Sequence, residues 1–524
     1  MTVREAALEV LRRHGLTTLF ANPGSTEVPF LAGLPSDLRF VLGLHEGTVV
    51  GMATGWAIAR GEPSVALLHT TAGLGNAVGA LATARVNRAP LVVLVGQQDR
   101  RHLAFEPFLA GELDGLAGRY PVWSDQPARP ADVPGAIARA WYEARDGRGP
   151  AIVIVPMDDW AADAADEPAA PRSVLRAGGV NGSAVDALAA MLESADAPVL
   201  VVGAGADDPA AWAGLVRLAE RLSCPVWQEA FGARAGFPQD HPRFAGHLPA
   251  GRGALRTALA GHDLVLAIGA PVLRQYEYEP GRLVDGGTRV AVVTDDPDEA
   301  HRSPADLAVL ASPAAVCAAL AERVGERDGV LSPAGGAPAA SPPADGEPLR
   351  AKHVLAALAD RLPRDVVVVE ETPSSRPDLH RLVRAREPLG FLSAAMGGLG
   401  FALPAAVGVR LARPDRPVVA VVGDGSSLYA IQALWSAARY RVGALLLVMA
   451  NGGYAIMDKL AADTGKPAPW PGFGTIDIAA MTRAQGCEAI RIEDHADLLA
   501  RLDEVLPELA RRNAPLLLEI AVAP

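Results

Sequence analysis

The sequence predicts an α/β protein of three doubly wound parallel-sheet domains, and three observations predict it. At 524 residues the chain is too long for a single hydrophobic core. Short apolar runs alternate with helical patterns along its whole length. Two stretches, 161–172 and 325–348, are so rich in Ala, Pro, Gly and Ser that they cannot bury enough surface to fold, so they read as linkers. The expected division is a first domain at 1–165, a middle domain at 180–325, a linker at 326–348 and a third domain at 349–524.

The strands follow in order. The first block carries "TTLFAN", "SVALLHT", "PLVVLVG" and "AIVIVP"; the second "PVLVVGAG", "DLVLAIGA" and "TRVAVVT". The third carries "DVVVVEE", "PVVAVVGDG", "ALLLVMAN" and "PLLLEIA". Continuous rather than alternating hydrophobicity fits strands covered by helices on both faces. Such sheets bind ligands beyond the carboxyl ends of their strands. The residues that end these runs include Asn22, His69, Gly269, Glu371, Asp424 and Asn451, a polar set for positions next to buried strands.

Composition narrows the function classes. The formal charge is −12, from 48 basic and 60 acidic residues, and no Lys/Arg cluster interrupts it, which argues against nucleic acid as a partner. The opening "MTVREAALEVLRRHG" has no apolar signal region, and no run of membrane-spanning length follows. Cys224, Cys317 and Cys487 lie too far apart for a zinc spacing or a disulfide framework. A cytoplasmic enzyme is the expectation. The stretch "VVGAGADD" lacks the third glycine of a dinucleotide fingerprint and reads as a tight strand-to-helix turn; a P-loop sequence is absent.

The chemistry concentrates in "PVVAVVGDGSSLYA". A buried strand runs into Gly423-Asp424-Gly425-Ser426, then a helical pattern, then the strand that ends at Asn451. If the two strands are neighbours, the oxygens of Asp424 and Asn451 converge. Hard ions such as Mg²⁺ take oxygen ligands and share their shell with phosphates, and the helix opened by Gly425 and Ser426 suits an anion. A bare strand-to-helix turn with Asp424 as its cap is the plain alternative.

The spacing Gly423-Asp424-Gly425, 24 residues, Ala450-Asn451-Gly452-Gly453 resembles the diphosphate-binding motif of thiamin diphosphate enzymes. Ala450 stands where family members often have Asn, one position before the ligand-bearing residue. The resemblance implies metal ligation by Asp424, Asn451 and the backbone carbonyl of Gly453. A second test lies in "VLGLHEGTVVGMATGWA", where Glu46 sits just past a strand and before an apolar helix. There the family places the carboxylate that activates the cofactor's aminopyrimidine; a solvent-facing helix-start Glu is the bland reading.

"FANPGSTEVPFL", "LLHTTAGLGNAVGAL" and "SAAMGGLGFALPAAVGV" look like the benzoylformate decarboxylase branch of the decarboxylase/acetolactate synthase superfamily, and the likeness runs over nearly the whole chain. It implies a pyrimidine-binding first domain, a diphosphate-binding third domain, and cofactors thiamin diphosphate and Mg²⁺. It also implies a homodimer or homotetramer with active sites between subunits. Ser25 would bind the substrate carboxylate and His69 would assist proton transfer. Leu399 would prop the cofactor and the Gly397 carbonyl would receive its amine. Ser374, Ser426 and the backbone of Tyr454 and Ala455 would hold the diphosphate. The implied reaction is non-oxidative decarboxylation of a 2-keto acid to an aldehyde.

The alternatives are a carboligase of acetolactate synthase or aldehyde lyase type, and a cofactor-binding protein with weak catalysis. They arise because Tyr276, in "APVLRQYEYEP", stands where close relatives carry a second active-site histidine. A phenol is ordinarily a weaker acid than imidazole near neutrality, so aldehyde release should be slow and ligation favoured. Relatives handling aromatic substrates line the pocket with phenylalanines. Here Ser393 and Leu460 stand at those positions, beside Ile456 and Met457, with Phe108 and Leu109 from the first block; a less aromatic pocket is expected.

Overall fold

A computed structural model describes residues 1–524 apart from 166–169, 172, 175–178, 329–340, 345 and 524. Both linker stretches therefore lie partly outside the described residues. The first sheet comprises β1 (Thr18–Ala21), β2 (Arg39–Leu42), β3 (Ser64–His69), β4 (Leu91–Gln97), β5 (Trp123–Asp125) and β6 (Pro150–Pro156). The second comprises β7 (Pro198–Val202), β8 (Val226–Gln228), β9 (Phe244–His247), β10 (Leu264–Ile268), β11 (Arg289–Thr294) and β12 (Leu307–Leu310). The third comprises β13 (Val367–Glu371), β14 (Phe391–Ser393), β15 (Val418–Gly423), β16 (Leu445–Ala450), β17 (Glu488–Ile492) and β18 (Leu516–Ala521).

All strand pairs in the three sheets are parallel. The first and third sheets share one permutation, β2-β1-β3-β4-β6-β5 and β14-β13-β15-β16-β18-β17. The middle sheet instead runs β12-β11-β10-β7-β8-β9, the order of dinucleotide-binding folds. Its "VVGAGADD" turn is tight, as expected: Gly205 N–H donates to the Gly269 carbonyl at 2.8 Å, and a Cβ on Gly205 would lie 2.8 Å from the Gly269 Cα. These glycines serve the close approach of two strand ends.

The first and third domains share a core. One apolar cluster runs from Phe20 and Val93 through Leu403 and Ala405 to Val422 and Leu517. At its centre the helix Glu46–Arg60 packs against the helix Ala402–Ala412. Glycines permit the contact: a Cβ on Gly55 would overlap the Ala405 carbonyl, and one on Gly408 the Met52 carbonyl. Among the described residues no helix is long and apolar enough to cross a membrane.

Candidate active site

The third sheet builds one half of the site. Val418–Val422 are buried β-branched and alanine residues, and the strand ends where Gly423 caps a short helix, Asp424–Leu428. Asp424 is thus the first helical residue, not its cap. Register pairs Gly423 with Met449, so Asp424 and Asn451 leave adjacent strand ends side by side. The Asp424 carboxylate accepts N–H bonds from Gly452 and Gly425, each 2.7 Å. Asn451 Oδ1 accepts from Gly453 N–H at 3.1 Å. Burial pushes the Asp424 carboxyl up, and those backbone donors pull against it. Gly425 lies under aromatic rings: a Cβ there would come within 2.6 Å of Tyr454 and 3.0 Å of Phe473.

Beside this pair opens a cavity of about 1350 Å³. Ser374, Gly397, Leu399, Gly425 and Ser426 line it with Asp424, Asn451, Gly453 and Tyr454. Ala455 opens the adjoining helix, Ala455–Asp463, where Ser374 Oγ accepts the Ile456 N–H at 3.1 Å. Gly397 adopts φ +72°, a conformation glycine takes without strain. The loop it belongs to is fixed by a residue noticed in the sequence only as a strand end: the Glu371 carboxylate accepts N–H bonds of 2.7 Å from Gly400, Phe401 and Ala402. Burial pushes that carboxyl up to about 7 despite the three donors.

Tyr276 lines the cavity at its rim, 69% exposed, its ring 6.5 Å from that of Phe231. Met457, Ile456 and Leu460 line the wall, as expected, but Ser393 does not. It ends β14 buried, its N–H bonded to the Ala233 carbonyl, and the wall is Ala394–Met396 instead. Phe108 and Leu109 are exposed, and neither is among the residues lining this cavity.

The first sheet builds a separate half. Glu46 opens its helix in a buried position rather than facing solvent; the Asn22 and Asn76 amides donate to its two oxygens at 2.9 and 3.1 Å. His69 ends β3 with Nδ1 3.1 Å from the Glu27 carboxylate and 2.9 Å from Thr26 Oγ1. Glu27 also accepts from the Gly24 N–H at 2.7 Å and the Thr26 hydroxyl at 2.5 Å. An Nδ1–H directed at Glu27 leaves the His69 Nε2 lone pair free. Ser25 is exposed beside them, and a Cβ on Gly24 would overlap the His69 ring. Sequence reasoning missed Glu27, Thr26 and Asn76; the signal available was an acid in the same "NPGSTE" loop as Ser25.

The two clusters do not meet within one chain: Ser25, Glu46 and His69 do not line the cavity at Asp424. Among the described residues of the first domain, only Val86 lines the cavity at Asp424. Among the described residues no cluster of three His, Cys, Asp or Glu side chains exists, so the hard donors available are one carboxylate, one amide and backbone carbonyls.

Family models match three segments: the thiamine pyrophosphate enzyme N-terminal TPP binding domain over residues 1–117, the central domain over 185–320, and the C-terminal TPP binding domain over 374–520. The chain is 40% identical to benzoylformate decarboxylase of Pseudomonas aeruginosa, over 99% of this chain and 98% of that protein. It is 29% identical to the acetolactate synthase large subunit of Parasynechococcus marenigrum, over 96% and 86%. The solved thiamine diphosphate-dependent 4-hydroxybenzoylformate decarboxylase of Rhodococcus jostii RHA1 superposes with a TM-score of 0.95 at 38% identity, covering 100% of this chain and 99% of that one. Benzoylformate decarboxylase from Polynucleobacter necessarius superposes equally, at 0.95 and 33% identity, over 100% and 98%.

Proposed function

The chain belongs to the thiamine pyrophosphate (thiamin diphosphate) enzyme family, and from that premise we propose that it is a Mg²⁺-dependent carboxy-lyase converting a 2-keto acid to an aldehyde and CO₂. The observation that carries this is the pairing of Asp424 with Asn451 at adjacent strand ends, beside a glycine where a Cβ would crowd the Tyr454 ring.

The residues fit the cofactor. Asp424, Asn451 and the Gly453 carbonyl are hard oxygen donors that would hold Mg²⁺. Ser374, Ser426, Gly425 and the N–H groups of Tyr454 and Ala455 would hold the diphosphate. Leu399 would prop the cofactor, and the Gly397 carbonyl would receive its amine. When bound, it supplies an electron sink for the pair left as CO₂ departs. The chain's own groups do the rest. Ser25 orients the substrate carboxylate, and His69 moves a proton at Nε2 while Glu27 holds its other nitrogen. Glu46, buried and held by Asn22 and Asn76, would be the residue to share a proton with the cofactor's pyrimidine. Because Ser25, Glu46 and His69 stand apart from the Asp424 cavity, a second copy completes each site, in a homodimer or a tetramer of two dimers. Three buried free cysteines support a cytoplasmic setting.

Ligation is the second reading, favoured by Tyr276 at the cavity rim in place of the relatives' histidine. One experiment separates the two. Protein loaded with thiamin diphosphate and Mg²⁺ is given benzoylformate or pyruvate, with and without an added aldehyde. Aldehyde release from benzoylformate, absent in Asp424→Ala together with more than about a hundredfold of cofactor affinity by calorimetry, is the expected result. Ligated product dominating even without added aldehyde establishes the carboligase instead.

A further inference from the structure

The helix Ala455–Asp463 has no buried residue, yet Ile456, Met457 and Leu460 all face the cavity. The chain then returns through "KPAPWPGFG" and brings Trp470 to line the same cavity. Three features fix the indole there. Its Nε1–H donates to Asp458 Oδ1 at 2.8 Å, one residue from Met457. Pro469 and Pro471 bracket it, and each proline locks its own φ. Three residues on, the Phe473 N–H donates to the Gly452 carbonyl at 2.8 Å, and the Phe473 ring packs edge-on against Tyr454 at 4.9 Å. Phe231 and Tyr276 line the same cavity.

We infer that Trp470 is the aromatic wall of the substrate pocket and the residue that sets a preference for 2-keto acids bearing an aryl group. The inference rests on the decarboxylase reading and deepens it. The sequence pattern led to an expectation of a less aromatic pocket; the fold adds an aromatic residue from a different segment. An aryl ring packed on a held indole gains contact that a methyl group cannot make, and the indole pays little entropy because its polar edge is already bonded. Asp458 is a positioning residue: it touches the indole, not the substrate.

The test uses the holoenzyme. Trp470→Ala should lower kcat/KM for benzoylformate by about tenfold or more, through KM, while the value for pyruvate stays within about threefold. Trp470→Phe should keep most of the aryl preference. Asp458→Ala should raise KM for benzoylformate, and Asp458→Asn, whose amide oxygen still accepts, should restore it. A binding readout stands apart from turnover: the fluorescence difference between parent and Trp470→Phe should be quenched by benzoylformate and not by pyruvate. Equal loss for both acids, no loss, or an unmoved difference signal overturns the assignment. A parent that releases no aldehyde defeats the decarboxylase reading, and the fluorescence difference still decides Trp470.

Discussion

Single residues here carry charge in places that cost stability. Glu229 follows β8 with only 5% exposure, and its Oε2 has no partner. Burial pushes its carboxyl up to about 7, against Arg274, with Glu299 adding to the rise. The folded protein then holds a proton that the unfolded chain releases near the ordinary value of about 4.3. Stability from this group is complete below that value and is lost as pH rises toward 7. Glu229→Gln should therefore gain on the parent by on the order of 1–3 kcal/mol between pH 4 and pH 8, read from urea midpoints. A gap independent of pH means Glu229 ionises normally. Glu46 makes the opposite case, a buried acid with a donor for each oxygen. Glutamine offers a single acceptor and cannot carry the proton, so Glu46→Gln should slow proton exchange at C2 of bound thiamin diphosphate by about 10²–10⁴. Cofactor affinity should change far less, and exchange at the parent's rate would mean that another carboxylate does the activation.

At the scale of elements, the apolar runs named all eleven strands that the sequence pattern proposed and left out seven. Six of the seven, β2, β5, β9, β12, β14 and β17, are sheet edges, and the seventh, β8, lies next to one. An edge strand has a neighbour on one side only, so its residues need not be uniformly apolar; β12 and β17 mix buried with exposed positions. The expected single crossover between β15 and β16 is two short helices, Asp424–Leu428 and Ala433–Arg439. The helix pair joining the first and third domains matters most, because Glu46 starts one helix and the other starts three residues after Leu399. Gly408→Ala drives a methyl into the Met52 carbonyl and should destabilise the chain by about 1–3 kcal/mol in denaturant midpoint. Parent-like stability would show that the helices can part without cost.

For the whole molecule, the decisive feature is that one chain keeps two unlike polar clusters apart, one around Glu46 and His69 and one around Asp424. Exposed apolar side chains lie on both domains, Val28 and Leu44 on the first and Met396 and Tyr429 on the third. Light scattering should find a dimer or tetramer and no active monomer. Mixing is sharper: refolded together in equal amounts, inactive Glu46→Gln and Asp424→Ala chains should recover about a quarter of parental turnover, since half the dimers are mixed and each mixed dimer has one intact site. Sites contained within one chain would recover nothing. The sequence by itself determined the three-domain plan, the central strands and the spacing from Asp424 to Asn451. These are local: each strand is marked by its own composition, and one crossover links the two ligand positions. Only tertiary structure decided that Glu27 lies against His69, that Glu371 ties down the Gly397 loop, that Ser393 is off the wall and Trp470 on it, and that the halves stay apart. Those contacts join residues that no periodicity relates, and they exist because helices and loops pack where volume and backbone donors allow.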